Sequence, residues 1–551
     1  MSRRLVDLAR DLGIDPENRA YVPYGHDFAK IDTVAAGEGS AHGNLVVVSA
    51  VTPTPLGEGK TVTSISLGMG LSRIGEPALA CLRQPSLGPV FGAKGGGAGG
   101  GKAQVVPADR INLGGTGDGQ AVGAAHNLLA AMLDAHLRHG NPLKVDPARI
   151  AFSRVTPVND GSLRKVITGL GGPLNGVPRE SFFEINEASE VMAILALARD
   201  RGDLRKRLGN IVLGPDQGGA PVRAEQLGAA GAMSVLLRDA LYPTLARTSE
   251  GTPVLLHAGP FANIAHGNSS LIATRWALTR SPWVVTECGF GSDLGLEKFV
   301  HIKARLGNLR PACVVVVCTV RALKVHAGLA KAVLGKPLDQ AVLTEDVSAV
   351  EKGAANLRHH LRIATNFGPP VVVALNRFPT DTDAEIAVVE GIAREFGAGF
   401  AVHTGFADGG AGAEDLARAV VKAARPTDLR YQYEGTGPLA ARLESLAKNV
   451  YGATGIELAP AARTRLAQLE KWGLGELQLC VAKTHLATTH DPADGGLPKP
   501  FVLPVRDILV RAGAGFATVL TGELTTLPAL GARPNAVDMD LDPATGAAIG
   551  L

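Results

Sequence analysis

Short runs of aliphatic and β-branched residues alternate along the chain with stretches whose apolar positions recur every three or four residues. Asn44-Leu-Val-Val-Val-Ser-Ala-Val51 predicts a strand, followed by a glycine-rich turn and a helix from Lys60. Ile211–Leu213, Val254–His257, Trp283–Thr286, Cys313–Val317 and Pro370–Leu375 predict further strands. Ala121–His136, Ala188–Arg199, Ala224–Ala240 and Asp383–Glu395 carry helical periodicity. Continuous apolar strands separated by helices predict an α/β fold with a large parallel sheet covered on both faces. The N-terminal residues from Met1 to Arg10 are charged within their apolar pattern, which predicts an amphipathic helix rather than a signal peptide. From about Ala440 the pattern changes: Pro and Thr become frequent, and Val502–Leu509 and Gly515–Leu520 suggest a smaller mixed domain.

Length and charge narrow the picture. A chain of 551 residues exceeds what one hydrophobic core supports, so two to four domains are expected. Apolar residues make up 46% and charged residues 19%, an ordinary globular balance. The formal net charge is +3 with no run of Lys or Arg, which makes nucleic acid a poor partner. The longest apolar runs, at Ala312–Val317 and Val371–Leu375, are strand-length and too short to span a bilayer, so a cytoplasmic protein is expected. The five cysteines form no Cys-x-x-Cys pair; they read as reduced buried thiols, with no indication of zinc.

Candidate chemistry begins at Thr52-Pro-Thr-Pro-Leu-Gly-Glu-Gly-Lys-Thr61, between the first strong strand and a helix, the context a phosphate loop requires. Thr54, Pro55, Leu56, Gly57, Glu58, Gly59, Lys60 and Thr61 are the candidate nucleotide-binding residues. Gly57 and Gly59 let backbone N–H groups converge on phosphate oxygens, Lys60 reaches the transferred phosphoryl group, and the Thr61 hydroxyl is the candidate Mg²⁺ ligand. Thr54 stands where the usual motif has its first glycine. Arg83, in Leu82-Arg83-Gln84-Pro85, offers a planar fork for a carboxylate or a phosphate. Lys94-Gly-Gly-Gly-Ala-Gly-Gly-Gly-Lys102 reads as a loop lying against a ligand.

These stretches carry a resemblance. Pro53–Thr61, Pro85-Ser-Leu-Gly-Pro89, the Gly95–Gly101 loop, Gln104-Val-Val-Pro107, His126–Ala131, Asn175–Glu180, Gly259–Gly267, Thr319–Lys324, Asn376-Arg-Phe-Pro-Thr-Asp-Thr-Asp383 and Leu520-Thr-Gly522 resemble formate–tetrahydrofolate ligases in order and spacing, over essentially the whole chain. The resemblance implies ATP-dependent ligation of formate to tetrahydrofolate through formyl phosphate, with Mg²⁺ required and a homotetramer common. It places Lys60, Arg83 and Asp118 in the catalytic machinery, and the folate ring between Phe378 and Phe406. The expected domains are a phosphate-loop, NTPase-like catalytic domain over residues 1–335, an α/β domain contributing the folate-site aromatics over 336–435, and a smaller mixed domain over 436–551.

The departures from the family pattern cluster near the chemistry. Asn112-Leu-Gly114-Gly115-Thr-Gly-Asp118-Gly-Gln120-Ala121 lacks the two histidines and the phenylalanine of the family stretch, whose Asp118 it keeps. Gln84 stands for a carboxylate, Lys102 for a tyrosine, and Lys483-Thr-His485-Leu486 for a Lys-Thr-Gln-Tyr pattern. Losing those groups removes candidate proton acceptors, with His126 or Lys102 as possible substitutes, and replacing His and Phe by glycine enlarges the expected site. The readings left open are the family reaction, a relative using another acid or amine acceptor, and a non-catalytic nucleotide-binding module. A dethiobiotin-type synthetase shares the phosphate loop but not the matches beyond residue 150.

Overall fold

The computed structural model describes residues 4–37, 39–92, 97–330 and 337–551. Its centre is a sheet of twelve strands among the described residues. In chain order these are β1 (Tyr21–Tyr24), β2 (Phe28–Ile31), β3 (Asn44–Ala50), β4 (Ala78–Leu82), β5 (Gly99–Gly100), β6 (Ala103–Val106), β7 (Thr244–Thr248), β8 (Pro253–Leu256), β9 (Trp283–Glu287), β10 (Pro311–Cys318), β11 (Val371–Asn376) and β12 (Gly399–His403). Their spatial order is β1-β2-β7-β8-β4-β9-β3-β10-β11-β12, with β6 and then β5 added beside β7. The run from β8 to β12 is parallel throughout. The pairings of β1, β2, β5, β6 and β7 are antiparallel. The α/β class with a mostly parallel sheet is as the apolar strands predict.

The sequence explains why β3 lies in the middle. Six of its seven residues are buried, and β10, Pro-Ala-Cys-Val-Val-Val-Val-Cys, is buried at every position. Strands without a polar face need cover on both sides. Leu45, Val47 and Val51 pack on one side with Leu357 and Leu361 of helix Val347–Asn366. Val46, Val48 and Ala50 pack on the other with Leu67 and Leu71 of α1 (Lys60–Arg73). The period-two alternation of β3 thus divides its side chains between two cores.

Some elements differ from expectation. The helical pattern at Ala224–Ala240 breaks into a 3₁₀ turn, Ala224–Leu227, and a helix, Ala229–Leu236, because Gly228 between them takes φ +69°. The strand expected at Ile211–Leu213 forms at Val212–Pro215 but pairs only with Pro221–Arg223, outside the large sheet. The helix expected at Asp383–Glu395 has those bounds, closed by a capping box between Thr382 and Glu385. β11 and β12, within 336–435, continue the central sheet beside β10. The C-terminal segment adds a parallel pair, Gly455–Leu458 with Val502–Val505, and a three-stranded sheet of Gln478–Ala482, Phe516–Leu520 and Asp507–Arg511. All five cysteines are free and buried. No helix among the described residues is long and apolar enough to cross a membrane.

Candidate functional site

Strand order in the sheet switches about β3: the path leaves it towards β4 on one side and later returns to β10, β11 and β12 on the other. Open α/β sheets bind ligands outside the carboxyl ends of the strands at such a point, and the turn Thr52–Gly59 occupies it. Gly57 and Gly59 have φ +76° and +77°, the left-handed region that glycine enters without strain. Gly59 is required twice over, since a Cβ there would lie 2.5 Å from Asn376 Nδ2. Helix α1 begins at Lys60 and leaves the N–H groups of its first turn without intrahelical partners, facing the space above the sheet.

Residues at the ends of neighbouring strands hold this turn. Glu58 is buried, and its side chain faces inward: Oε1 accepts from the Thr54 N–H at 2.8 Å and Oγ1 at 3.0 Å, and Oε2 accepts from Thr319 Oγ1, just past β10, at 2.8 Å. Asn376, at the end of β11, donates to the Glu58 carbonyl at 3.3 Å. Thr63 Oγ1 lies 3.1 Å from Nε2 of His403 at the end of β12. Thr54 and Glu58 therefore brace the loop from within.

The opposite side brings in an acid that the sequence reading missed. Register sets Glu287, the last residue of β9, opposite Val48 of β3. Its carboxylate accepts a hydrogen bond from Thr61 Oγ1 at 2.8 Å and lies 3.7 Å from the Arg83 guanidinium, which follows β4. Arg83 also donates to the Pro260 carbonyl at 3.3 Å. A charged residue ending a buried strand that points at the phosphate loop was the available signal. Lys60 is close enough for its charge to bear on the Cys288 thiol, which burial pushes up to about 12.

Asp118, expected in the catalytic machinery, is buried and engaged by Lys30 and Gln84. It is 2% exposed at the start of α2 (Asp118–Arg138). Lys30 Nζ from β2 donates to its two oxygens at 2.5 and 2.6 Å, and Gln84 Nε2 donates at 2.6 Å. Burial lowers the Lys30 pKa from its ordinary value against the pull of Asp118. With both oxygens engaged, Asp118 positions Lys30 and Gln84. Lys30→Met would strand a buried carboxylate, at a cost of about 3–5 kcal/mol, and the midpoint of urea unfolding is expected to fall accordingly.

The two aromatic residues border one cleft with the phosphate loop. Its volume is about 900 Å³, and its walls include Leu56, Gly57, Gly59, Asn376, Phe378 and Phe406. The Arg321 guanidinium stacks 3.8 Å from the Phe378 ring centroid and covers one face. Phe406 is 58% exposed, and its carbonyl accepts from the Lys102 N–H at 2.8 Å. A Cβ on Gly100 would lie 3.1 Å from the Phe406 ring, so the second half of the glycine loop packs on this residue. Lys94, Gly95 and Gly96 fall outside the described residues.

A second, narrow cavity collects the departures from the family pattern. Gln84, Gly114, Gln120, Asn186, Glu187 and Gly259 line it. Gly114 and Gly115 have φ +93° and +48°, so a His or Phe restored there would be strained. Nor do the glycines open a wide space: a Cβ on Gly114 would meet Gln120 Nε2 at 3.3 Å. His126 lies elsewhere, buried, stacked on Phe152 at 4.3 Å and beside the Ser153 carbonyl at 3.1 Å; burial lowers its pKa to about 4.

The arrangement belongs to an enzyme of the ligase class. The formate–tetrahydrofolate ligase family model matches residues 1–551, and the chain belongs to that family. It is 50% identical over 542 residues to the formate–tetrahydrofolate ligase of Desulforamulus reducens, covering 98% of this chain and 95% of the relative. It is 50% identical over 553 residues to that of Roseiflexus sp., covering 100% and 98%. Identity to that of Cutibacterium acnes is 48% over 559 residues, covering 99% of each.

Proposed function

We propose that the protein ligates formate to tetrahydrofolate at the expense of ATP, giving 10-formyltetrahydrofolate, ADP and phosphate through formyl phosphate. The observation that carries this reading is the shared cleft: the phosphate loop and the two aromatic rings line one space, and Asn376 ties the loop to the strand that leads into Phe378. Phosphoryl transfer needs positioning and charge neutralisation more than covalent help. The N–H groups at the start of α1 and the Lys60 ammonium take the phosphates, and Arg83 holds formate or its phosphorylated product. The reading includes an NTPase-like role for the central sheet.

Mg²⁺ fits the pair Thr61 and Glu287, a hydroxyl and a carboxylate 2.8 Å apart beside the loop, the hard oxygen donors this ion takes. Bound there, it would neutralise charge on the phosphates. The folate ring stacks on exposed Phe406 and on the face of Phe378 that Arg321 leaves open. A homotetramer is the assembly that goes with the family resemblance, and the 1–335, 336–435 and 436–551 division remains our reading of domain organisation.

The test is ADP release by the purified protein with formate and tetrahydrofolate omitted in turn. Sustained release should need both; release with neither substrate, unchanged by adding them, would sink the proposal. Phe406→Ala should weaken tetrahydrofolate binding by about 1–3 kcal/mol, by analogy with base–aromatic stacking, and leave ATP affinity unchanged. Equal losses for the two ligands would remove the stacking role.

A further inference from the structure

The narrow cavity beside Arg83 contains more unsatisfied polarity than a packed interior tolerates. Buried polar atoms are almost always hydrogen-bonded, and exceptions grouped around one space point to a missing ligand. Glu187 Oε2, Asn186 Oδ1 and Arg83 Nε are buried and without a hydrogen-bond partner among the described residues, and the Ser86 hydroxyl faces the Glu187 carboxylate. Asn186 and Glu187 line the cavity, and Arg83 and Ser86 are the chain neighbours of its lining residues Gln84 and Pro85. Glu187 is 5% exposed.

Position matters as much as polarity. Gln84 lines the same cavity, at the position where the family resemblance puts a carboxylate. Here it carries an amide turned to Asp118. The carboxylate of the cavity comes instead from Glu187. We propose that Glu187 is the proton acceptor of the acyl-transfer step in this protein, replacing the groups absent at positions 84, 114 and 120. This rests on the ligase reading above. In that step the N10 lone pair of tetrahydrofolate forms the bond to the formyl carbon. The bond between that carbon and the bridging phosphate oxygen breaks, its electron pair leaves with phosphate, and the N10 proton passes to the Glu187 carboxylate.

The electrostatic surroundings suit the task. Burial raises the Glu187 pKa to about 7, against the opposing pull of its own backbone N–H and the Ser86 hydroxyl. A base poised near the working pH combines a usable ionised fraction with proton affinity. The charged groups around it are accounted for. Asp118 is paired with Lys30 and with the Gln84 amide, and Arg83 is turned towards Glu287 and the Pro260 carbonyl. On the same segment, Glu184 pairs with Arg511, and Glu190 accepts from the Gly513 N–H.

The isosteric variant Glu187→Gln tests the assignment by rapid quench with ATP, formate and tetrahydrofolate all present. The expected result is a retained burst of ADP, since phosphoryl transfer does not use Glu187, followed by 10-formyltetrahydrofolate formation slowed about 10²–10⁴-fold. The wild-type kcat/KM for tetrahydrofolate should rise with pH through about 7, as the carboxylate ionises, and the variant should lack that limb. Glu187→Asp should recover part of the rate and the limb. ADP and product slowed together, or a variant with the wild-type pH limb, would overturn the proposal. Unchanged ATP affinity controls for folding. A wild-type protein that makes no ADP in response to formate and tetrahydrofolate would instead overturn the ligase reading, which separates the two failures.

Discussion

Lys60→Ala is expected to lower kcat for ADP formation by about 10²–10³, or roughly 3–4 kcal/mol of transition-state stabilisation, the range for removing one preorganised group that meets developing charge. The reason is local. Lys60 opens α1 immediately after Gly59, which is held in the left-handed conformation with Asn376 against its backbone. The geometry of that turn depends on Gly57, Gly59, Glu58 and Asn376, none of which the substitution touches. The variant should therefore fold and keep its thermal midpoint while losing turnover. Lys60→Arg keeps a cation but swaps a compact ammonium for a planar fork of different reach, so it should recover only part of the rate. Single-turnover ADP formation at saturating ATP is the measurement. A Lys60→Ala protein with wild-type single-turnover rate would remove the phosphate-loop assignment.

What could be read from the sequence follows its physics closely. β3, β9, β10 and β11 are continuous aliphatic runs that only a doubly covered parallel sheet buries, so their existence and class were legible. The strands Ala78–Leu82, Thr244–Thr248 and Gly399–His403 were not: Ala-Leu-Ala-Cys-Leu and Gly-Phe-Ala-Val-His lack the β-branched signature that marks the others. The turn at the candidate phosphate loop was legible because its pattern is local, nine residues between one strand and one helix. The roles of Asp118 and Glu187 were not, because they depend on what stands across a gap. Asp118 meets Lys30, 88 residues away. Glu187 shares a cavity with Gln84 and Gly114, which lie far from it in sequence. Spacing along a chain says nothing about such meetings. Backbone conformation was equally hidden: the positive φ at Gly114 and Gly115 makes them turn residues, where the sequence suggested only missing side chains.

Glu287→Gln should carry the second large effect, and it separates a metal-holding role from a structural one. The amide oxygen of Gln can still accept the Thr61 hydroxyl hydrogen bond, which is 2.8 Å long in the wild type, so the end of β9 and the start of α1 stay joined. What disappears is the negative charge beside the phosphate loop. If Glu287 and Thr61 hold Mg²⁺, the Mg²⁺ concentration for half-maximal activity should rise at least about 10-fold. The rate at a fixed low Mg²⁺ concentration should fall about 10²-fold or more, since a bound divalent cation supplies several kcal/mol of charge stabilisation. Raising Mg²⁺ should restore much of it. If Glu287 serves only to orient Arg83, 3.7 Å away, the loss should appear in the KM for formate and should not respond to Mg²⁺. Titrating Mg²⁺ at saturating formate, and formate at saturating Mg²⁺, distinguishes the two. A formate defect with an unchanged Mg²⁺ requirement would move the cation away from Thr61 and leave Glu287 as the partner of Arg83.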